Sequence, residues 1–170
     1  QVHAHFVSMM VGDIGSLFLQ ALHPRALAAV WDHSNFRDNL TGRLGRTAYF
    51  IAATTYGPSS LAQQMVDRVN HIHAHIRGHM PDGSPYTANE PELIEWVHLG
   101  EVHCFLQAYQ RLSTTPLGPV QINQYLRETA RVGRQGVVAF PKFAHWPNRL
   151  NILQGRMPVT RRLPYQWYDT

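Results

Sequence analysis

Apolar residues in this 170-residue chain return every third or fourth position along most of its length, and segments alternating apolar with polar are scarce. That spacing follows the turn of a helix rather than the two-residue repeat of a strand, so it restricts the chain to helices packed on helices. "MMVGDIGSLFLQAL" puts Met10, Ile14, Leu17 and Ala21 on one stripe, and His23-Pro24 punctuates it. Pro24 opens a second helix, "PRALAAVWDHS", because its missing N–H falls where a first turn has no partner. Thr41 is the expected cap of "GRLGRTAYFIAATTY", which Gly57 and Pro58 end. Ser60 with Gln63 three residues later predicts a capping box for a helix over Ser60–Arg77. Gly78 stops that helix, and "MPDGSPY" reads as a turn-rich loop. "PELIEWVHLGEVHCFLQAYQRL" and "PVQINQYLRETARVG" predict two further helices, and after Gly136 the pattern fades. The expected fold is all-α: a single helical-bundle domain over residues 1–135, with an irregular basic C-terminal tail over 136–170 as an extension of the same domain.

A chain of this length buries a substantial core without covalent staples. The single cysteine, Cys104, excludes an intrachain disulfide and any CxxC zinc or redox motif. No run of eighteen or more apolar residues occurs, so no transmembrane segment is expected. The chain starts at Gln1 rather than Met, which suits a processed, trimmed or partial chain; a cytoplasmic location is expected, with a removed leader left open. From Arg131 to Thr170 there are seven basic residues against one acid, Asp169. They are dispersed and no nucleic-acid motif accompanies them, so no nucleic-acid partner is expected. A homo-oligomer stays open.

"VNHIHAHIRG" holds His71, His73 and His75, a density that suggests a metal cluster. Helical geometry divides it. Val66, Val69, His73, Ile76 and Met80 form one stripe in which His73 is the only polar member, whereas His71 and His75 share another side with Asp67 and Arg68. His73 is either a core histidine satisfied by a neighbour or a ligand; His71 and His75 read as a solvated pair. An HExxH zinc site needs a glutamate between the histidines, and Ile72, His73 and Ala74 supply none. A single imidazole among apolar walls suits haem better than zinc or non-haem iron, which demand further converging ligands.

A second polar intrusion is "GRLGRTAYF". Arg43 and Thr47 are four apart and stack on one face, with Arg46 close to Arg43 and Leu44, Phe50 and Ile51 alongside. An enclosed guanidinium requires an anion, such as Asp32, Asp38 or a haem propionate. "EWVH" offers an E-x-x-H pair, Glu95 and His98, of the type used in di-iron bundles, but no second such pair occurs. His98 also lies on the stripe Ile94, His98, Val102, Phe105, Tyr109, which favours a structural role. Cys104 beside His103 gives little support for hydrolysis, because adjacent residues point to different faces.

"LHPRALAAVWDHSNFRDNLTGRLGRTAYFIAATTYG" followed by "VNHIHAHIRGHMPDGSPYTANEPELIEWVH" resembles the MpaB / latex-clearing-protein (rubber oxygenase) family. The resemblance is carried by His-Pro, a DHS-F-like stretch, R-x-x-x-T, an H-x-x-x-R-G helix end, DG-x-Y-x-A and W-V-H, in that order, over roughly Leu17 to Gly133. It implies an all-α domain that binds haem b and acts as an oxygenase or related oxidoreductase. The proximal haem-iron ligand would be His73, and Arg43 and Thr47 would fall beside the haem pocket. Arg46 stands where latex-clearing relatives carry a lysine able to approach the distal iron face; a guanidinium is a poor iron ligand, so the sixth position would be open, water-filled or taken by another group. Rubber-cleaving members also use a carboxylate ahead of the R-x-x-x-T segment, and here the aligned region around Leu27 is "RALAAVW", with Asp32 only the nearest acid. Rubber itself is therefore not the expected substrate.

The expected function is a haem-dependent oxygenase acting with O2 on an apolar small molecule. Its iron ligand would be His73, its catalytic candidates Arg43, Arg46 and Thr47, and its walls Leu44, Phe50, Val69 and Ile76. Two alternatives stay open: a non-haem metal oxidoreductase built on Glu95 and His98, and a haem-binding helical module without catalysis.

Overall fold

The computed structural model describes residues 1–135, and the expected C-terminal tail, 136–170, lies outside the described residues. A 3₁₀ turn at Val2–Ala4 leads into α1 (Phe6–Ala21), α2 (Pro24–His33), α3 (Leu40–Tyr56) and α4 (Ser59–His75). A hairpin follows, β1 (Arg77–His79) and β2 (Pro85–Thr87), and then α5 (Pro91–Leu112) and α6 (Pro119–Gln135). Apart from that hairpin, the described residues are all-α.

The largest helix contact is between α1 and α5. They run antiparallel: Gly12 faces Phe105, Gly15 faces Cys104, Leu19 faces Gly100, and the His5 and Tyr109 rings meet at 6.0 Å. Their backbones come close because the buried face of α1 is Ser8, Gly12, Asp13, Ser16 and Gln20. Small residues four apart form a shallow ridge that a facing helix can approach. Ser16 Oγ donates to the Asp13 carbonyl at 2.8 Å and Ser8 Oγ to that of His5 at 3.0 Å, which satisfies both hydroxyls inside the contact. This overturns the expected α1 stripe: Met10 and Ile14 are exposed, and Val7, Val11, Phe18 and Leu22 are exposed with them. Among the described residues no single helix is long and apolar enough to cross a membrane; α1 and α2 pass that test only as a pair, bent by 108°.

The hydrophobic core lies on α5 and is completed from α3, α6 and the N-terminal turn. Leu99, Val102, Phe105, Leu106 and Tyr109 of α5 pack with Val2, Ile51, Tyr125 and Ala130. At the N-terminal end of α5, Arg25 Nη1 of α2 pairs with Glu90 Oε2 at 2.8 Å, and Glu90 Oε1 accepts from the Thr87 N–H at 3.0 Å. The hairpin is fastened to α2 as well, since the buried Tyr86 donates its hydroxyl to Asp32 Oδ2 at 2.6 Å.

Three boundary expectations need correction. The cap of α3 is Asn39, whose Oδ1 accepts from the Gly42 N–H at 2.8 Å, not Thr41. No side chain caps α4 at its Pro58 N-cap; Gln63 turns along the helix to Asp67 at 2.9 Å, so the Ser60–Gln63 capping box does not form. That helix also ends at His75, because Ile76 is extended (φ −89°, ψ 104°) and Arg77 enters the hairpin. The "MPDGSPY" loop contains the hairpin turn, where Gly83 takes φ 82°, and its final Pro-Tyr begins β2.

Candidate functional site

The three histidines separate by face as their spacing predicts. His71 and His75 are exposed, with ring centroids 4.8 Å apart, and His75 Nδ1 lies 2.7 Å from the His71 carbonyl, to which it donates. His73 is partly buried in the last turn of α4, with its Nδ1 enclosed and without a hydrogen-bond partner. Burial alone lowers its pKa. The imidazole is therefore neutral at neutral pH, the form that coordinates a metal. Of the structural alternatives, a core histidine satisfied by a carbonyl at Nδ1 is not what the structure shows.

On α3, Arg43 is half-buried and its Nη1 donates to Ser34 Oγ at 3.2 Å. Burial, followed by repulsion from Arg46, lowers its pKa, while Asp13 and Glu101 stabilise its charge. A guanidinium remains protonated throughout this range. The acids that act on Arg43 thus come from α1 and α5 rather than from Asp32, which is taken up by Tyr86. Thr47 Oγ1 donates to the Arg43 carbonyl at 3.3 Å, an i−4 bond within the helix. Arg46 is exposed. Leu44, Phe50, Val69 and Ile76 are all half-buried.

The sequence reading missed Asp13 and Glu101. Asp13 is 6% exposed, and its Oδ1 has no partner. Desolvation raises its pKa and the Arg43 charge opposes that rise. Glu101 is pushed up to about 7, first by burial and then by repulsion from Asp13, with Arg43 and Gln20 acting the other way. The available signal was each acid's setting: "VGDIGS" and "LGEVHCF" put a carboxyl in the middle of small and apolar residues. Asp13 and Glu101 thus act on Arg43 electrostatically, without a contact pair, whereas burial is what lowers His73.

His98 Nε2 lies 3.1 Å from the Thr129 carbonyl, so that nitrogen is a donor to α6. Among the described residues no group of three or more His, Cys, Asp or Glu is arranged to hold a metal ion. Burial and the Glu101 charge both raise the Cys104 pKa, so this thiol stays protonated and is a weak nucleophile.

The sequence model of a family described as "ER-bound oxygenase mpaB/B'/Rubber oxygenase, catalytic domain" matches residues 1–139. The chain belongs to that family. No curated protein and no solved structure matches it. His73, Arg43, Arg46 and Thr47 all fall inside this mpaB/rubber oxygenase catalytic domain, and so do Asp13 and Glu101. An open groove of about 530 Å³ between α1 and α5 is lined by Val11, Gly15, His103, Cys104 and Arg111, and it includes none of those six residues. His103 and Cys104 both border that groove, contrary to the expectation that they face apart.

Proposed function

We propose that this domain is a haem-dependent oxygenase that acts with O2 on an apolar small molecule, and that His73 is the residue that holds the haem iron. The observation that carries the proposal is the His73 side chain: a neutral imidazole, partly buried, with an enclosed nitrogen left without a partner. A neutral imidazole that no protein group engages keeps a nitrogen lone pair uncommitted, as an axial ligand requires. Membership of an oxygenase family supports the same chemistry from an independent side. When bound, haem iron supplies the activation of O2, which the side chains of this domain cannot perform.

The protein's own residues supply environment. The half-buried Leu44, Phe50, Val69 and Ile76 exclude water and suit an apolar substrate. Arg43 holds a fixed positive charge inside the helical layer and offsets negative charge that develops beside it. Thr47, already donating within its helix, retains acceptor capacity on its hydroxyl oxygen. Arg46 adds positive charge at the exposed edge of the same helix. Haemin added to the purified protein is expected to give a saturable Soret band at a stoichiometry of one. A spectrum that remains that of free haemin at every ratio refutes the reading.

A further inference from the structure

Every exposed residue of α1 is apolar: Phe6, Val7, Met10, Val11, Ile14 and Phe18. The haem reading uses none of them, and it is the opposite face of the helix that packs on α5. Val7, Val11, Ile14 and Phe18 succeed one another at spacings of four, three and four, so they form a single stripe, which Leu22 extends past the helix end. Met10 lies to one side of the stripe and Gly15 to the other. On the Gly15 side runs the groove of about 530 Å³ between α1 and α5, walled by Val11, Gly15, Cys104 and Ala108. His103, Gln107 and Arg111 supply the polar part of its lining, and the exposed Leu112 adds to the apolar part.

Size and shape decide what covers this face. Val7, Met10, Val11, Ile14, Phe18, Leu22 and Leu112 together present on the order of 600 Å² of apolar surface, at the upper limit of what a monomer usually leaves in water. Two such faces joined bury on the order of 1,200 Å² before any rim is counted, which reaches the range of specific, stable interfaces. We propose that two copies of this chain join through this face as a homodimer, α1 crossing α1 about a twofold axis beside Ile14.

A twofold contact requires one patch to carry both a projection and the recess that receives it. This face carries both. Phe18 is 74% exposed, and the groove opens beside Val11, two turns back along the same stripe. With Ile14 meeting Ile14 at the axis, antiparallel helices set Phe18 of each copy over Val11 of the other, at the mouth of its groove, and Val7 toward Leu22. A parallel pair would set Phe18 against Phe18 and leave both grooves unfilled. His103, Gln107 and Arg111 then form a polar border around an apolar centre, the usual layout of an interface. A lipid surface fits less well, because a helix lying in a membrane interface carries Lys or Arg beside its apolar face, and α1 has neither from Phe6 to Ala21.

The test is the mass of the full chain in solution, by analytical ultracentrifugation over a dilution series. The wild type is expected at twice the chain mass, dissociating on dilution. Phe18→Asp should weaken association by about 30-fold or more, as loss of a central aromatic anchor does, with an unchanged circular dichroism spectrum because the ring is exposed in its own domain. Oxidative cross-linking in a Cys104→Ala background tests the axis. Ile14→Cys should give a disulfide-linked dimer, and Val7→Cys should not, because its two copies stand about 20 Å apart across the axis, beyond disulfide reach. A full chain that is monomeric at every concentration overturns the proposal and gives the face to another segment of the chain or, if that monomer floats with phosphatidylcholine vesicles, to lipid. A dimer that Phe18→Asp leaves intact, or that Val7→Cys cross-links as readily as Ile14→Cys, overturns it too. Should Phe18→Asp fail to fold, the cross-linking pair decides alone. None of these readouts involves haemin, so they stand or fall apart from the haem reading.

Discussion

Replacing Gly12 with Ala, and separately Gly45 with Ala, makes the same chemical change in two helices and should move stability in opposite directions. Both glycines lie inside helices, where Ala is favoured over Gly by about 1 kcal/mol. At Gly45 of α3 an added Cβ meets nothing within 4 Å, so that gain appears undiminished. At Gly12 of α1 the same atom would stand 2.6 Å from Phe105 Cδ1, 2.9 Å from Phe105 Cα and 3.2 Å from the Cys104 carbonyl oxygen. A ring can turn aside, but Cα and a carbonyl oxygen are backbone, and relieving them means moving α1 and α5 apart along their whole contact. Overpacking of this kind costs about 1–3 kcal/mol or more and exceeds the propensity gain once backbone must shift. Gly12→Ala is therefore expected to destabilise by about 1–2 kcal/mol and Gly45→Ala to stabilise by about 1 kcal/mol. For a domain of this size each kcal/mol moves the Tm by about 2–4 °C. Urea and thermal unfolding followed by far-ultraviolet circular dichroism measure both changes. A Gly12→Ala protein as stable as the wild type, or more so, would refute the close α1–α5 crossing on which the placement of Asp13 and Glu101 depends.

Further outcomes follow from the same contacts. The raised Glu101 pKa means that the folded state binds its proton above pH 4.5, where the unfolded chain has lost it, so stability from this group is present below pH 4.5 and is lost as pH rises to about 7. The slope is at most about 1.4 kcal/mol per pH unit, and urea unfolding of Glu101→Gln should lack it; buried histidines act in the opposite sense, so the difference between wild type and variant is the quantity to read. Asn39→Ala removes the α3 cap and should cost about 1 kcal/mol, whereas Thr41→Ala should stay within about 0.5 kcal/mol, both by urea unfolding. Tyr86→Phe deletes the 2.6 Å bond to Asp32 and should cost about 0.5–1.5 kcal/mol, with early amide exchange in the hairpin; unchanged exchange there would count against the hairpin's anchorage to α2.

The helical class was legible because spacing and proline placement are local properties. Pro24 and Pro91 stand at the first positions of their helices, and α5 runs over the residues expected of it. The buried face of α1 was not legible, since Ser8, Gly12, Asp13, Ser16 and Gln20 carry little hydrophobicity and cannot outweigh a stripe through Met10 and Ile14. What selects that face is the approach of α5, a fact of tertiary structure. Asn39 and Thr41 are both acceptable caps, and only the backbone bend at Asn39 (φ −144°, ψ 64°) chooses between them. The hairpin strands have three residues each, too few for alternation to register. Within the site, the division of the histidines by face was readable from helix geometry and the Arg43 segment from its odd polarity. Asp13 and Glu101 lie far apart in sequence, and nothing local joins them.

The most direct test of the account is the absorption spectrum of the haemin-loaded protein and of three single variants, His71→Ala, His73→Ala and His75→Ala, before and after dithionite reduction. The exposed His71 and His75 should be dispensable, leaving the Soret band and its shift on reduction as in the wild type. His73→Ala alone should lose the band, with its fold intact by circular dichroism. A His73→Ala protein that keeps the wild-type spectrum, or a wild type that never acquires one, contradicts the central claim.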